Sequence, residues 1–416
     1  MLSPRMRKMY VIAVFLGLAS AQARPDQRYA PGVTDTQIMI GQTMPYSGPL
    51  SAYASFGRAQ AAYFAKINAE GGVNGRRIKL VSLDDGFNPA RTVEQTRKLV
   101  EDEQVSLLFS SFGTATNAAV QKYLNGKKVP QLFIVSGASY WAEPAAHPWT
   151  MAWPPTYQLE ARTYAQYLLR VKPNAKIAVL YQNDDYGKDY LSGFKAGLGQ
   201  KAGNMIVAEA SYAPSDPTVD SQVVTLMGSG ADTLVDFATA KAAAQAIRKA
   251  NDIGWKPLHI MTLTSSSVET VLKPAGIDKA VGLLSSSFIK DPGDPQWKDD
   301  PAMQEWRAWM KEYYPDGKSG DMVNVVAYSL AQTLVQVLKQ CGDDLTRENV
   351  MRQATNLRNL ELPMLLPGIK IDTSPNDYEL IQELQLMRFD GARWVRFGAV
   401  VGNGAELRDS RAGLAR

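Results

Sequence analysis

From Gln37 onward, short apolar runs alternate with stretches of helical spacing, and glycine, proline and asparagine separate them. Residues 38–41 read as a strand, and the helix after them carries Phe56, Ala59, Tyr63, Phe64 and Ile67 on one face before stopping at Gly71-Gly72. Residues 78–83 form the next strand. Asn88 then caps a helix that opens on Pro89 and runs to about Asp102. Residues 105–109 are a further apolar run of buried-strand type. Repeated strand–helix units of this length have one economical solution, an α/β fold with parallel sheets flanked by helices and joined by right-handed crossovers. Ligands of such sheets bind outside the carboxyl ends of the strands.

Two turns at such strand ends are rich in small hydroxyl residues. The first is Ser110-Ser111-Phe112-Gly113-Thr114-Ala115-Thr116-Asn117, followed by a stretch of helical spacing. The second is Ser136-Gly137-Ala138-Ser139, after the apolar run 131–135. A helix start leaves free N–H groups at the positive end of its dipole, which suits a carboxylate or phosphate. Gly113 lets a ligand approach the backbone, and Thr114, Thr116 and the serines add donors. Two ordinary strand-to-helix loops with hydroxyl caps would read the same way.

Residues 1–23 resemble no part of the fold. Arg5, Arg7 and Lys8 precede an apolar run, and Ala21-Gln22-Ala23 supplies the small-x-small pattern of a cleaved secretory signal, so export with a start near Arg24 is expected. That segment holds three of the 45 basic residues and none of the 41 acidic ones, which leaves 42 against 41, a net charge of +1. Nothing in that balance points to nucleic acid. No later stretch has the length and apolarity of a membrane span. Cys341 is the single cysteine, so an internal disulfide is excluded and stability rests on the apolar core.

The stretch 149–158, with Trp153-Pro154-Pro155-Thr156-Tyr157, breaks the rhythm and reads as a crossover to a second lobe, without a strand. Strands are then expected at 176–181, near Ile206, at 233–237 and at 259–262, with helices from Gly187 and over 240–253. After the loop containing Asp291-Pro292-Gly293-Asp294-Pro295 come helices around 303–313 and 322–338, and closing strands at 380–386 and 393–400. Trp306 and Trp309 at helical spacing read as core.

Four blocks, in order and spacing, resemble the exported solute-binding proteins of the branched-chain amino-acid (Leu/Ile/Val-binding) type that serve ABC transporters. They are Ile40-Gly41 through Ser47-Gly48-Pro49, Ala69 to Arg76, Asp84-Asp85-Gly86-Phe87-Asn88-Pro89, and Asn183 to Gly187. The resemblance implies a type I periplasmic binding fold: two Rossmann-like lobes, a three-strand hinge and a ligand between the lobes. It places the lobes at 31–153 with 288–360 and at 154–287 with 361–405. Carried over residue by residue, it puts a carboxylate grip on Gly113 and Thr114 and on Ala138 and Ser139, with Ser136 beside it. Tyr53 and Tyr186 would close over the ligand, Phe112 and Trp153 would add aromatic surface near it, and Thr239 would stand at a helix start on the second lobe.

Two positions depart from the amino-acid-binding members, which hold the ligand's ammonium with acidic side chains. Pro155 and Ala242 stand there, and neither accepts a charge. The resemblance therefore implies a periplasmic receptor for a small organic acid, aromatic or otherwise lacking an α-ammonium. The alternatives are a branched-chain amino acid or small amide receptor, or a ligand-sensing regulator on the same fold. The expected partners are the small-molecule carboxylate and the permease and ATPase subunits, with the protein itself a monomer and no nucleic acid. No cofactor, metal or catalytic residue is expected. His147 and His259 lie in no metal-spaced cluster, and the G-x-S-x-G and P-loop patterns are missing from the sequence.

Overall fold

A computed structural model describes residues 29–402. The secretory-signal segment at 1–23, including Ala23, lies outside the described residues. The first sheet is five-stranded and parallel: β1 (Gln37–Met44), β2 (Arg77–Asp84), β3 (Leu108–Phe109), β4 (Gln131–Ile134) and β5 (Thr150–Ala152), in the order β2-β1-β3-β4-β5. β5 corrects the expectation of a strandless crossover at 149–158. The Trp149 carbonyl accepts from Gln131 N–H, Trp153 N–H donates to Ile134, and Met151 is fully buried, so three residues pair before the chain leaves.

The second sheet is built from β6 (Ile177–Gln182), β7 (Ile206–Tyr212), β8 (Thr233–Phe237), β9 (Leu258–Met261), β10 (Leu284–Ser287), β11 (Glu383–Phe389) and β12 (Trp394–Arg396), with β13 (Val401–Gly402) beside β11. Strands β6 to β10 run parallel, while β11 returns antiparallel to β10, β12 and β13. Period-2 alternation assigns the faces. Ile177, Val179 and Val235 pack with the helices Tyr157–Val171 and Asp185–Leu198, whereas Ala178, Leu180 and Leu234 pack with Asp220–Gly228 and Ala240–Asp252.

The helices Pro301–Tyr313 and Met322–Cys341 go back to the first sheet. Their Trp309 and Tyr328 meet Tyr63 of the Ser55–Ala69 helix edge-on, at 6.4 and 4.8 Å between ring centroids. Trp306 and Trp309 are buried there, as their spacing implied. Cys341, the last residue of its helix, is buried, and burial pushes its thiol up to about 12. Among the described residues no helix is long and apolar enough to cross a membrane.

Among the described residues the chain passes between the sheets three times, after β5, after β10 and before β11. The passages touch: Lys290 N–H donates to Met364, Leu366 N–H donates to Phe288, and the Trp153 and Phe288 rings lie 5.6 Å apart. These contacts place the strand ends of the two sheets across from each other, with a narrow space between.

Candidate ligand-binding site

The first hydroxyl-rich turn is held by its own neighbours. Gly113 caps the Thr114–Gly126 helix with φ +100°, and a Cβ there would stand 2.5 Å from Phe87 Cε2. The glycine is thus required by Phe87 packing, quite apart from any ligand. Thr114 Oγ1 lies 2.8 Å from Ser136 Oγ and 3.3 Å from the Tyr157 hydroxyl, and Trp141 Nε1 donates to Ser136 Oγ at 2.8 Å. These hydroxyls form one buried network joining both turns.

The second turn is engaged within the protein itself. Ser139 N–H and Oγ each donate to the Asp189 carboxylate at 2.8 Å, and Gln158 Nε2 reaches the same carboxylate at 2.9 Å. Asp189 belongs to the Asp185–Leu198 helix of the second sheet. The donors assigned to a ligand carboxylate are therefore engaged by a carboxylate of the protein. Ala138 is buried, with its N–H 3.4 Å from Ser136 Oγ.

A cavity of about 70 Å³ lies between the lobes, on the hinge side of these turns. Its first-sheet wall is Tyr53, Phe56, Phe112, Val135 and Ser136, and the Met322–Cys341 helix adds Met322, Val323 and Val326. Pro154, Pro155, Phe288 and Ile289 form its hinge wall. The second sheet contributes Tyr157, Glu160, Tyr190, Thr264 and the serines at 266, 267, 286 and 287. Gly137 makes the close approach of this hinge possible, since a Cβ on it would meet the Pro155 carbonyl at 2.4 Å.

Tyr53 bridges the two lobes. Its ring stacks on Phe112 at 4.8 Å, its hydroxyl accepts from Ala240 N–H at 3.1 Å, and it donates to the Thr264 carbonyl at 3.1 Å. Ala240 opens the Ala240–Asp252 helix, so a hydroxyl oxygen from one lobe satisfies a free N–H at a helix start on the other. Burial pushes the Tyr53 hydroxyl up to about 12.

Other candidates stand behind this surface. Tyr186 lies under the 262–264 loop, its hydroxyl 3.2 Å from the Ala238 carbonyl and from both threonine hydroxyls of the loop. Thr239 gives its hydroxyl to Gln182 Oε1 at 3.0 Å and its N–H to the Tyr212 hydroxyl at 2.9 Å. Trp153 is wholly buried and donates to Thr333 Oγ1 at 2.9 Å, which makes it a strut of the hinge. Tyr53, Phe112 and Ser136 are on the cavity wall; Gly113, Thr114, Ala138, Ser139, Trp153, Tyr186 and Thr239 are not.

Glu160 was missed by the sequence reading. It sits in the first turn of the Tyr157–Val171 helix, which Thr156 caps, and only 1% of it is exposed. Oε1 accepts from the Tyr164 hydroxyl at 2.5 Å and Leu263 N–H at 2.8 Å, and Oε2 accepts from the Tyr190 hydroxyl at 2.6 Å. Burial, with only neutral donors to offset it, pushes the carboxyl up to about 7. A sequence signal existed: Glu160 falls on the apolar stripe of Tyr157, Ala161, Tyr164 and Leu168, where a solvated glutamate has no place. Among the described residues no group of three or more His, Cys, Asp or Glu is disposed to hold a metal.

Two α/β lobes joined by three passages, with a cavity walled from both sides, define the architecture of a solute receptor. The sequence profile of the periplasmic binding protein family matches residues 37–393, and the chain belongs to that family. A Leu/Ile/Val-binding protein homolog 7 from Brucella abortus (strain 2308) is 24% identical over 340 residues, covering 79% of this chain and 82% of the relative. Among solved structures, a branched chain amino acid ABC transporter protein from Thermus thermophilus with bound valine superposes with a TM-score of 0.80 at 18% identity, covering 89% of this chain and 98% of its own. A fatty acid ABC transporter substrate-binding protein from Thermomonospora curvata gives a TM-score of 0.74 at 20% identity, covering 92% and 97%. At these identities the structures speak for the fold alone.

Proposed function

We propose that this protein is the extracytoplasmic substrate-binding component of an ABC transporter, which closes two lobes over a small solute with an apolar body and hands it to the permease. The observation that carries this reading is the cavity walled by both lobes, with Tyr53 tying them across it. In this reading the lobes comprise 31–153 with 288–360 and 154–287 with 361–405, and the 1–23 segment directs export to the periplasm. Solute binding needs only closure by hinge motion, without a catalytic group.

Family membership leaves the ligand open, since the Thermus neighbour is described with valine and the Thermomonospora neighbour by fatty acid. An aromatic carboxylate is supported by the rings of Phe56, Phe112 and Phe288 and by the hydroxyl-rich wall. A branched-chain amino acid or small amide, the second reading, is supported by Glu160, an acceptor for a nitrogen-bound hydrogen inside the cavity. A thermal-shift screen of amino acids, amides and aromatic acids on the purified protein tests the receptor role. A ligand of the folded state raises Tm with concentration. A blank screen, with no change in radius of gyration for any compound, would refute the role.

A further inference from the structure

Resting on that receptor reading, we infer that Glu160 selects the ligand: the cavity takes a compact organic cation whose protonated nitrogen sits on Glu160 Oε2, with its apolar body against Phe112 and Val326. Oε1 already accepts two hydrogen bonds, whereas Oε2 accepts one, from Tyr190, so one acceptor direction of Oε2 remains for a ligand donor. The polar groups around this carboxyl are two phenols, one backbone amide and the nearby Ser286 hydroxyl, all neutral, which leaves its charge uncompensated when ionised. A buried carboxylate in that situation gains most from a cation brought to it.

The walls point the same way. Among the described residues lining the cavity there is no lysine, arginine or histidine to receive an anion. The serine that would have gripped a carboxylate, Ser139, is engaged by Asp189. Tyr53, Phe112, Tyr157, Tyr190 and Phe288 present aromatic rings to the space, and the faces of such rings attract a desolvated ammonium. The titratable groups facing Glu160 are Tyr157 and Tyr164 of its own helix and Tyr190 of the adjacent one. Burial pushes all three hydroxyls up, so they stay neutral where the carboxyl titrates. From β10 it is approached by Ser286, and from the loop after β9 by Leu263, neither of which titrates.

Two matched sets test this: 3-methylbutylamine, leucine and 4-methylpentanoate, then phenethylamine, phenylalanine and 3-phenylpropionate. Titration calorimetry at pH 8 should find at least one ammonium-bearing member at least tenfold tighter than the carboxylate of the same body. Glu160→Gln keeps the shape and removes the charge. It should weaken that compound tenfold or more and leave the carboxylates unchanged. At pH 6, wild-type protein should release a proton on binding it, read as a heat that differs between buffers of different ionisation enthalpy. The proton readout needs no variant, so it decides the matter even where Glu160→Gln fails to fold. Tighter binding of the carboxylates, an indifferent Glu160→Gln, or no proton release would overturn the inference while sparing the receptor role. Silence from all six compounds would overturn the inference, and the receptor role would fall only with a blank wider screen.

Discussion

Tyr53→Phe removes one oxygen from the interlobe contact and leaves the ring in place on Phe112. Two hydrogen bonds go with it, from Ala240 N–H and to the Thr264 carbonyl, both 3.1 Å long and both between lobes. Each contributes about 0.5–1.5 kcal/mol net, so the closed form loses about 1–3 kcal/mol. The upper end applies here because Tyr53 is only 3% exposed and the Ala240 N–H is left without its partner. That energy corresponds to roughly 5- to 150-fold in the ratio of closed to open forms. Affinity for any ligand enclosed by closure should fall by the same factor, because only the closed form holds it. Calorimetry gives the affinity, and small-angle scattering of the saturated protein gives the fraction closed. If Tyr53→Phe closed and bound like wild type, the interlobe role of this hydroxyl would be refuted.

The Glu160 carboxyl stands at about 7 in the fold against 4.5 for a free glutamate. A raised folded value means its contribution is full below 4.5 and is lost as pH rises through 7, about 3 kcal/mol in total at 1.36 kcal/mol per pH unit. Denaturant unfolding at pH 4.5 and pH 8 should show wild type losing that much more than Glu160→Gln, and equal losses would contradict the burial argument. Ser139→Ala and Asp189→Asn each break a charge-assisted pair of about 1.5–3 kcal/mol, so a double-mutant cycle on Tm should be strongly non-additive, and additivity would dissolve the contact. Gly113→Ala should lower the urea midpoint by the equivalent of about 1–3 kcal/mol, since φ is +100° and Phe87 is in the way. Adding Phe87→Ala should restore part of that loss; no recovery would show that the ring is not the obstacle.

How far the sequence could be read follows from where the defining interactions lie. β6 and β8 are apolar runs whose partners are parallel neighbours, and such runs declare themselves locally. β10 did not, because Leu284-Ser285-Ser286-Ser287 reads as a polar loop until Tyr164 arrives to bond Ser286. The resemblance and the local turn chemistry led to Tyr53, Phe112 and Ser136, which reach the cavity. The partner of Ser139 was not legible for a long-range reason: nothing in its turn announces that Asp189, fifty residues on, will take its donors. Glu160 was legible in principle as a charge on an apolar stripe, but its meaning depends on Tyr190 and Leu263, which only the folded second lobe brings to it.

The return of the Met322–Cys341 helix to the first sheet also bears on how the chain is made. Tyr63 of the early Ser55–Ala69 helix waits for Trp309 and Tyr328, which emerge only after the whole parallel part of the second sheet. The first lobe is therefore a late-finishing unit of high contact order, and such units fold slowly and expose apolar surface meanwhile. For a chain exported as proposed, that delay is useful: the sequence stays pliable while this lobe-completing helix is unmade. A permutant that moved 322–341 next to the Ser55–Ala69 helix should fold sooner and cross a membrane less readily.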